Sequence, residues 1–531
     1  MSVTGTLDGQ FEMMGRNWYW DASAVVGYND AKQLFTGNVN VARLRQALGP
    51  IGQCTGECVP LNVFGGVGSI TPAMLGFIGF DERARSNQVL NDYTANLSGQ
   101  LFDLPGGPVG IAIGYEHRYQ SGSFTPDPLI QAGLGADIPA QAARGSFNVD
   151  EVYGEIRLPL LKDVPFFSSL ELNGAVRHSD YSTFGGNTTL TGGGLWKPVS
   201  DLLLRGSYAE SVRAPSIGEL FGAQSRFDQS LPDPCSNVAG SLFRTNATAR
   251  TNCIADGVPA SGSYAEPAGQ LPVLTGGNSA LQPEKARTLL FGGAYSPAWA
   301  RGGFASALSL EVNYYDVRVR DAIAAIPANV LLGRCALTGD PLSCAATTRT
   351  ANGFISSISG LLLNTGGIRT RGIDATFTLR TRETGAGVFG LSVIGNYLLG
   401  YQETVPATNG TTTTRYEGTE RGSPDQAYPR FKGLATIDWA VGPVTASVTG
   451  RFIDDVREIQ NTTVLKERLY GDVQLAFRPA WMDSRFALTL GVNNVFDQDP
   501  PACFSCSLNN YDPTTYDVPG RFGYVRLSYG L

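Results

Sequence analysis

From Glu151 to Leu158, and again from Leu170 to Arg177, apolar and polar side chains change places at every residue. In the first run Val152, Gly154, Ile156 and Leu158 alternate with Glu151, Tyr153, Glu155 and Arg157. In the second Leu170, Leu172, Gly174 and Val176 alternate with Glu171, Asn173, Ala175 and Arg177. A period of two puts each set on its own side of a pleated ribbon. Two more such runs follow before Phe221, and each lasts about ten residues, roughly twice the usual strand of a soluble protein. Long ribbons that are oily on one side and ionised on the other fit a sheet with lipid outside and water inside.

The same pattern recurs from end to end. Val3–Gln10 and Trp18–Tyr28 come first, then a long connection from Asn29 to Leu90, then Asn91–Asp103 and Pro108–Gln120. After the four central runs, the last of which is Asp201–Val212, the longest loop extends from Arg213 to Glu284. Lys285–Pro297, Gly303–Arg320, Gly367–Arg380, Ala386–Tyr401, Pro429–Ala440, Val444–Asp455, Leu469–Pro479, Arg485–Asn493 and Gly520–Leu531 continue the series. The reading is all-β: a transmembrane antiparallel up-and-down β-barrel with about 17 strands in this chain.

Other features agree. Charged residues are 16% of the chain, against roughly 25% in an average soluble protein. No run of about 18 apolar residues occurs, so a helical span is excluded while a barrel is not. The net charge of −7 offers no basic footprint for nucleic acid. Short and long connections alternate, and outer-membrane barrels place short turns inside the cell envelope and long loops outside. All six Trp (Trp18, Trp20, Trp196, Trp299, Trp439, Trp481) fall at or beside short turns, as an interfacial aromatic girdle requires. The N-terminal stretch lacks the basic and apolar regions of an export leader, so the chain is expected to begin inside a longer protein.

The eight cysteines fall in neighbouring pairs, Cys54/Cys58, Cys235/Cys253, Cys335/Cys344 and Cys503/Cys506. Eight thiols allow 105 connectivities, but each pair shares one long loop, which favours bridging within pairs and an oxidising compartment. The rival at Cys503-x-x-Cys506 is a metal or redox site; no second pair has zinc-finger spacing and no His lies nearby.

Several separated stretches resemble the barrel of TonB-dependent outer-membrane receptors. They are Leu104–Gln120, Glu151–Leu161, Arg177–Thr189, Leu202–Phe221 (with Arg213-Ala214-Pro215), Gly277–Ala286, Arg369–Leu379, Gly491–Pro501 and Tyr516–Leu531. The resemblance covers nearly the whole chain. It implies a barrel of about 22 strands around a plug, so that residues 1–531 hold a partial barrel domain lacking plug, TonB box and about five strands. It further implies energised import of a nutrient too large for porins, whether siderophore, cobalamin, oligosaccharide or peptide. Implied partners are outer-membrane lipid, TonB acting through the missing plug, a nutrient at the external loops, and the barrel-assembly machinery at the terminal strand. The family usually ends in Phe, where this chain has Leu531. The alternative is a passive porin-like channel or a surface-adhesion barrel; porins have 16–18 strands.

Candidate lumen- or plug-facing residues are Glu155, Arg157, Arg177, Arg205, Arg380 and Arg526, which oppose apolar positions, with Arg213 at the rim where Pro215 aims the loop. Catalysis is not expected. A barrel hydrolase needs a His base; His117 sits among apolar positions, and only His178 with Asp180 on the same side makes a base–orienter pair conceivable. No calcium-loop spacing occurs, and neither a cofactor nor a metal is expected. Tyr28, Tyr401, Tyr511 and Tyr516 near the external ends are either ligand-stacking rings or girdle aromatics.

Overall fold

The computed structural model describes residues 1–530 apart from 138, 267–268, 423, 462, 483–484 and 507–508. Its main body is an antiparallel meander of 17 strands. These are β1 (Ser2–Met13), β2 (Arg16–Val39), β3 (Gly79–Leu104), β4 (Gly107–Thr125), β5 (Ala143–Val164), β6 (Phe167–Tyr181), β7 (Gly185–Val199), β8 (Leu202–Arg213) and β9 (Glu284–Tyr295). They continue with β10 (Ala305–Ala325), β11 (Leu362–Thr381), β12 (Val388–Pro406), β13 (Phe431–Val441), β14 (Val444–Ile453), β15 (Arg468–Phe477), β16 (Phe486–Asn493) and β17 (Phe522–Tyr529). Each pairs with its sequence neighbour, and Thr411–Arg415 folds back onto β12 as an eighteenth member of the sheet. Among the described residues β1 and β17 do not pair with each other. Leu531, the expected last residue of the terminal strand, lies outside the described residues.

The alternation holds along the lower part of the sheet. One face exposes Val152, Ile156, Leu172, Val176, Val448, Leu475, Leu490, Val525 and Leu527, while the other carries the polar positions. An exposed aliphatic row is unstable in water and at home in hydrocarbon. Buried apolar residues gather elsewhere, in four clusters built largely from loop residues at the long-loop end.

One expectation fails. The connection from Asn29 to Leu90 begins and ends as ribbon, leaving only residues 40–78 as the loop: β2 and β3 stay paired from Asn29↔Gln88 to Val39↔Gly79. This arm extends past the apolar band, so neither of its faces needs oily residues, and Asp30, Lys32, Glu82 and Arg85 erase the period of two that marks the lower part. Arg85 Nε donates to Asp30 Oδ1 across the arm at 2.9 Å. The loop from Arg213 to Glu284, by contrast, ends where the sequence placed it.

Long loops fold against one another rather than standing singly. The loops of residues 214–283 and 326–361 share a four-stranded sheet, with Val273↔Ile358 paired in parallel between them. Those of residues 407–430 and 454–467 share another, joining Glu420 to Glu458. All four cysteine pairs are disulfides, Cys54–Cys58, Cys235–Cys253, Cys335–Cys344 and Cys503–Cys506, and no free thiol exists among the described residues. The metal alternative at Cys503 and Cys506 is thereby set aside.

Candidate functional site

The site begins where β8 ends. Pro215 has no N–H to extend the ladder, and Ser216-Ile217-Gly218-Glu219 is a capping box that starts a helix at once. Ser216 Oγ accepts from Glu219 N at 3.2 Å, and the Glu219 carboxylate accepts from Ser216 N at 2.7 Å. Arg213 holds two carboxylates with paired bonds: Glu219 at 2.9 and 3.0 Å, and Glu284, the first residue of β9, at 2.7 Å twice. A planar guanidinium suits this double fork, which Lys could not make. The Arg213 guanidinium holds the Glu219 carboxyl below its usual range. One side chain therefore joins both ends of the 214–283 loop to the rim.

The short helix Ile217–Phe221 then folds inward over β4 and β5. Two glycines permit it. A Cβ on Gly145 would lie 1.9 Å from the Phe221 ring, and one on Gly122 would lie 3.2 Å from Ile217 Cγ2. Leu220 is buried with Phe147 and Leu281. Beside this helix, at the long-loop ends of β2 to β5, is a cavity of about 960 Å³ bounded by Tyr28, Leu90, Phe124, Arg144, Ile217 and Phe221. Arg144 is the one charged side chain in its described lining, and no carboxylate side chain contributes. The cavity suits a bulky ligand with flat apolar surface and negative charge.

Toward the short-turn end, a second cavity of about 890 Å³ is lined by polar-face residues of β2 to β8, among them Tyr19, Gln100, Glu155, Arg157, Asn173 and Arg205. Strands that far apart share it because this face is the concave one. Here Arg157 pairs with Glu171 at 2.8 Å, and Arg205 binds Glu311 and, at 2.7 Å, Asn313. Arg177 pairs with Glu151 at 2.9 Å and lies over the Tyr153 ring.

The structure thus brings Glu155, Arg157 and Arg205 to one cavity, with Arg177 nearby and Arg213 at the mouth. Arg380 and Arg526 stand apart on β11 and β17; Arg526 lies over the Tyr524 ring, and Arg380 makes no ion pair among the described residues. Sequence reasoning missed Arg144, Phe124 and the helix Ile217–Phe221. The capping box after Arg213-Ala214-Pro215 was the available signal for the helix; nothing local marks Arg144.

The tyrosines divide. Tyr516 is buried among Ala427, Val456, Leu465 and the Cys503–Cys506 disulfide, so it is not a ligand-stacking ring. Tyr401 stacks on Tyr428 with centroids 4.5 Å apart, while Tyr28 borders the outer cavity and donates to Asn87 at 3.2 Å. Tyr511 is half-buried in the last long loop. His178 meets Thr188 Oγ1 at 2.9 Å rather than Asp180, because Thr188 is its cross-strand partner. The His–Asp pair that exists is His117–Asp150 at 2.8 Å, on the apolar face with Tyr115 and with no Ser hydroxyl bonded to it among the described residues.

Above the mouth, the paired loops are locked by Arg349, which spans Asp233 and Asp256 at 2.7 Å each with all three side chains nearly dry. Burial raises the Asp256 carboxyl above its usual range, against the pull of Arg349. In the other loop group Glu420 is fully buried, and burial pushes it up to about 7.

A family model described as TonB dependent receptor-like, beta-barrel matches residues 2–495. No curated protein shows significant sequence similarity to the chain. Among solved structures, the siderophore receptor PirA from Acinetobacter baumannii superposes with a TM-score of 0.55 at 13% identity, covering 99% of this chain and 62% of that one. The ferric enterobactin receptor PfeA from Pseudomonas aeruginosa, in complex with enterobactin, gives 0.56 at 14%, covering 97% and 62%. The outer membrane transporter YddB from Escherichia coli gives 0.56 at 10%, covering 99% and 62%. The chain therefore spans 62% of the length of each of these proteins, and at such identities the likeness is one of fold.

Proposed function

Because this chain belongs to the TonB-dependent receptor β-barrel family, we propose that it forms most of the barrel of an outer-membrane importer whose cargo is an iron–siderophore complex of the anionic, aromatic class. The single observation that carries this reading is the cavity under the Ile217–Phe221 helix. Its described lining combines rings and aliphatic groups with one cation, Arg144, and includes no carboxylate side chain. A ferric catecholate presents flat aromatic surface and net negative charge, and both find partners there. An uncharged oligosaccharide would leave Arg144 without a counter-ion.

The remaining parts of the reading follow from the family. Further strands and a plug complete the bore, TonB pulls on that plug, and Glu155, Arg157, Arg177, Arg205, Arg380 and Arg526 line the water-filled side or meet the plug. The passive channel or adhesion alternative lacks an equivalent support, since neither needs a loop clamped over its mouth by Arg213.

The test is a binding panel on the purified protein in detergent: radio-iron as a catecholate complex, radio-iron as a hydroxamate complex, cobalamin and a maltooligosaccharide. The catecholate complex is expected to bind most tightly, and Arg144→Ala to weaken it about tenfold, the loss of one charge-assisted contact. Preference for cobalamin or the sugar, or indifference to Arg144→Ala, refutes the assignment.

A further inference from the structure

The apolar face changes character abruptly near the long-loop end. On β10 the residues pointing that way are Leu308, Leu310, Val312 and Tyr314, followed by Asp316, Arg318 and Arg320. On β9 the series is Tyr295, Gly293, Phe291 and Leu289, followed by Arg287 and Lys285. On β11 it is Leu379, Phe377, Ala375 and Ile373, followed by Arg371 and Arg369. The register aligns these changes: Lys285↔Arg320, Arg287↔Arg318 and Arg318↔Arg369 are direct partners. Six cations so form one patch across three strands, directly above a row of rings that includes Tyr208, Tyr314 and Tyr397.

Elsewhere around the sheet the upper part of this face carries Asn91, His117, Asp150, His178, Thr188 and Gln402. The concentration of positive charge is local. Only two carboxylates answer it among the described residues. Asp316 receives Arg369 at 2.6 Å and Arg318 at 3.2 Å, and Glu210 lies 3.4 Å from Arg287. Lys285, Arg320 and Arg371 have no ion pair among the described residues. Arg371 packs over Gly400, with Nε 3.1 Å from where a Cβ would be, and that Nε is buried with no acceptor. Six like charges on neighbouring strands repel one another, and two carboxylates do not neutralise them.

We propose that this patch binds the phosphate groups of an anionic, phosphorylated lipid of the outer leaflet. The lipid's acyl chains lie along Leu289, Phe291, Leu310, Val312 and Phe377, and its headgroup sits at the level where the rings end and the guanidiniums begin. Asp316 spreads Arg318 and Arg369 into a fork, and Arg320, Arg371 and Lys285 supply unshared donors. Charge complementarity and position select the occupant. A soluble anion has no reason to prefer a site continuous with the hydrocarbon band, whereas a phosphorylated lipid fills both parts at once. The inference rests on the membrane placement proposed above and on nothing about the cargo.

The test titrates the protein in neutral detergent micelles with a bisphosphorylated acyl glycolipid, with its dephosphorylated form, and with inorganic phosphate. The phosphorylated lipid is expected to bind, with affinity falling as salt rises. The triple variant Arg318→Gln/Arg320→Gln/Arg371→Gln should weaken it about a hundredfold, at roughly fivefold per cation removed. A triple variant of the same charge, Lys32→Gln/Lys162→Gln/Lys466→Gln, should leave it unchanged, and heat-modifiable electrophoretic mobility confirms that both variants fold. Equal binding of the dephosphorylated lipid, full competition by inorganic phosphate, or equal weakening by the control variant overturns the proposal. Each of these is independent of the siderophore panel, so failure here leaves that reading standing, and the reverse.

Discussion

Replacing Arg349 with Met should open the cap over the mouth without unfolding the barrel. Arg349 is 3% exposed, and its partners Asp233 and Asp256 are 0% and 6% exposed. It donates from Nη1 to Asp233 Oδ2 at 2.7 Å, from Nε to Asp256 Oδ2 at 2.7 Å, and from Nη1 to Gly353 O at 3.0 Å. The substitution keeps most of the volume and strands two dry carboxylates. Breaking a buried pair from one side costs about 3–5 kcal/mol, a factor of about 10²–10⁴ in the local opening equilibrium. Hydrogen exchange reads this directly, at the amides of Gln270–Thr275 and Ile355–Ser359, the strands that tie the two loops. Their protection should fall by that factor while β13 and β14 keep theirs. The defect should also shrink in acid. Burial already raises the Asp256 carboxyl, and without Arg349 nothing opposes that rise above the unfolded value of about 3.9, so the folded cap binds that proton more tightly than the open one. The stabilisation this gives is present below the unfolded value and lost as pH rises through the raised one. Unchanged protection at neutral pH, or equal loss in the barrel strands, would refute the reasoning.

Two further outcomes are expected. Burial raises Glu420 to about 7, so the loop group around Thr419–Glu420 and Val456–Glu458 should be firmest below about pH 4.3. It should lose up to roughly 3–4 kcal/mol as pH rises through 7, and Glu420→Gln should flatten that slope in exchange data corrected for intrinsic rates. On β14, Val448→Arg on the exposed apolar face should destabilise the folded chain in lipid vesicles by about 2–4 kcal/mol, whereas Thr449→Arg on the opposite face should cost under about 1 kcal/mol. Denaturant titration distinguishes them, and equal costs would mean the two faces are misassigned.

Much of the barrel was legible because its information is local. Val152 and Glu155 declare their faces through their immediate neighbours, and Arg213-Ala214-Pro215 marks a strand end that the structure keeps. The arm formed by β2 and β3 beyond Asn29 was not legible, since ribbon with water on both sides has no reason to alternate. The helix at Ile217 was readable from Ser216 and Glu219, but its seat against Gly122 and Gly145 was not.

Composition, alternation and loop spacing alone settle that this chain makes a long-stranded antiparallel meander with disulfide-closed loops at one end, because each of those properties is written within ten or twenty consecutive residues. The bond from Arg349 to Asp233 joins positions 116 apart, the cavity beside Arg144 is enclosed by a helix from a different loop, and the patch of Lys285, Arg320 and Arg371 arises only when three strands fall into register. Such juxtapositions leave no period in the chain; pairing of strands in register and docking of one loop on another create them.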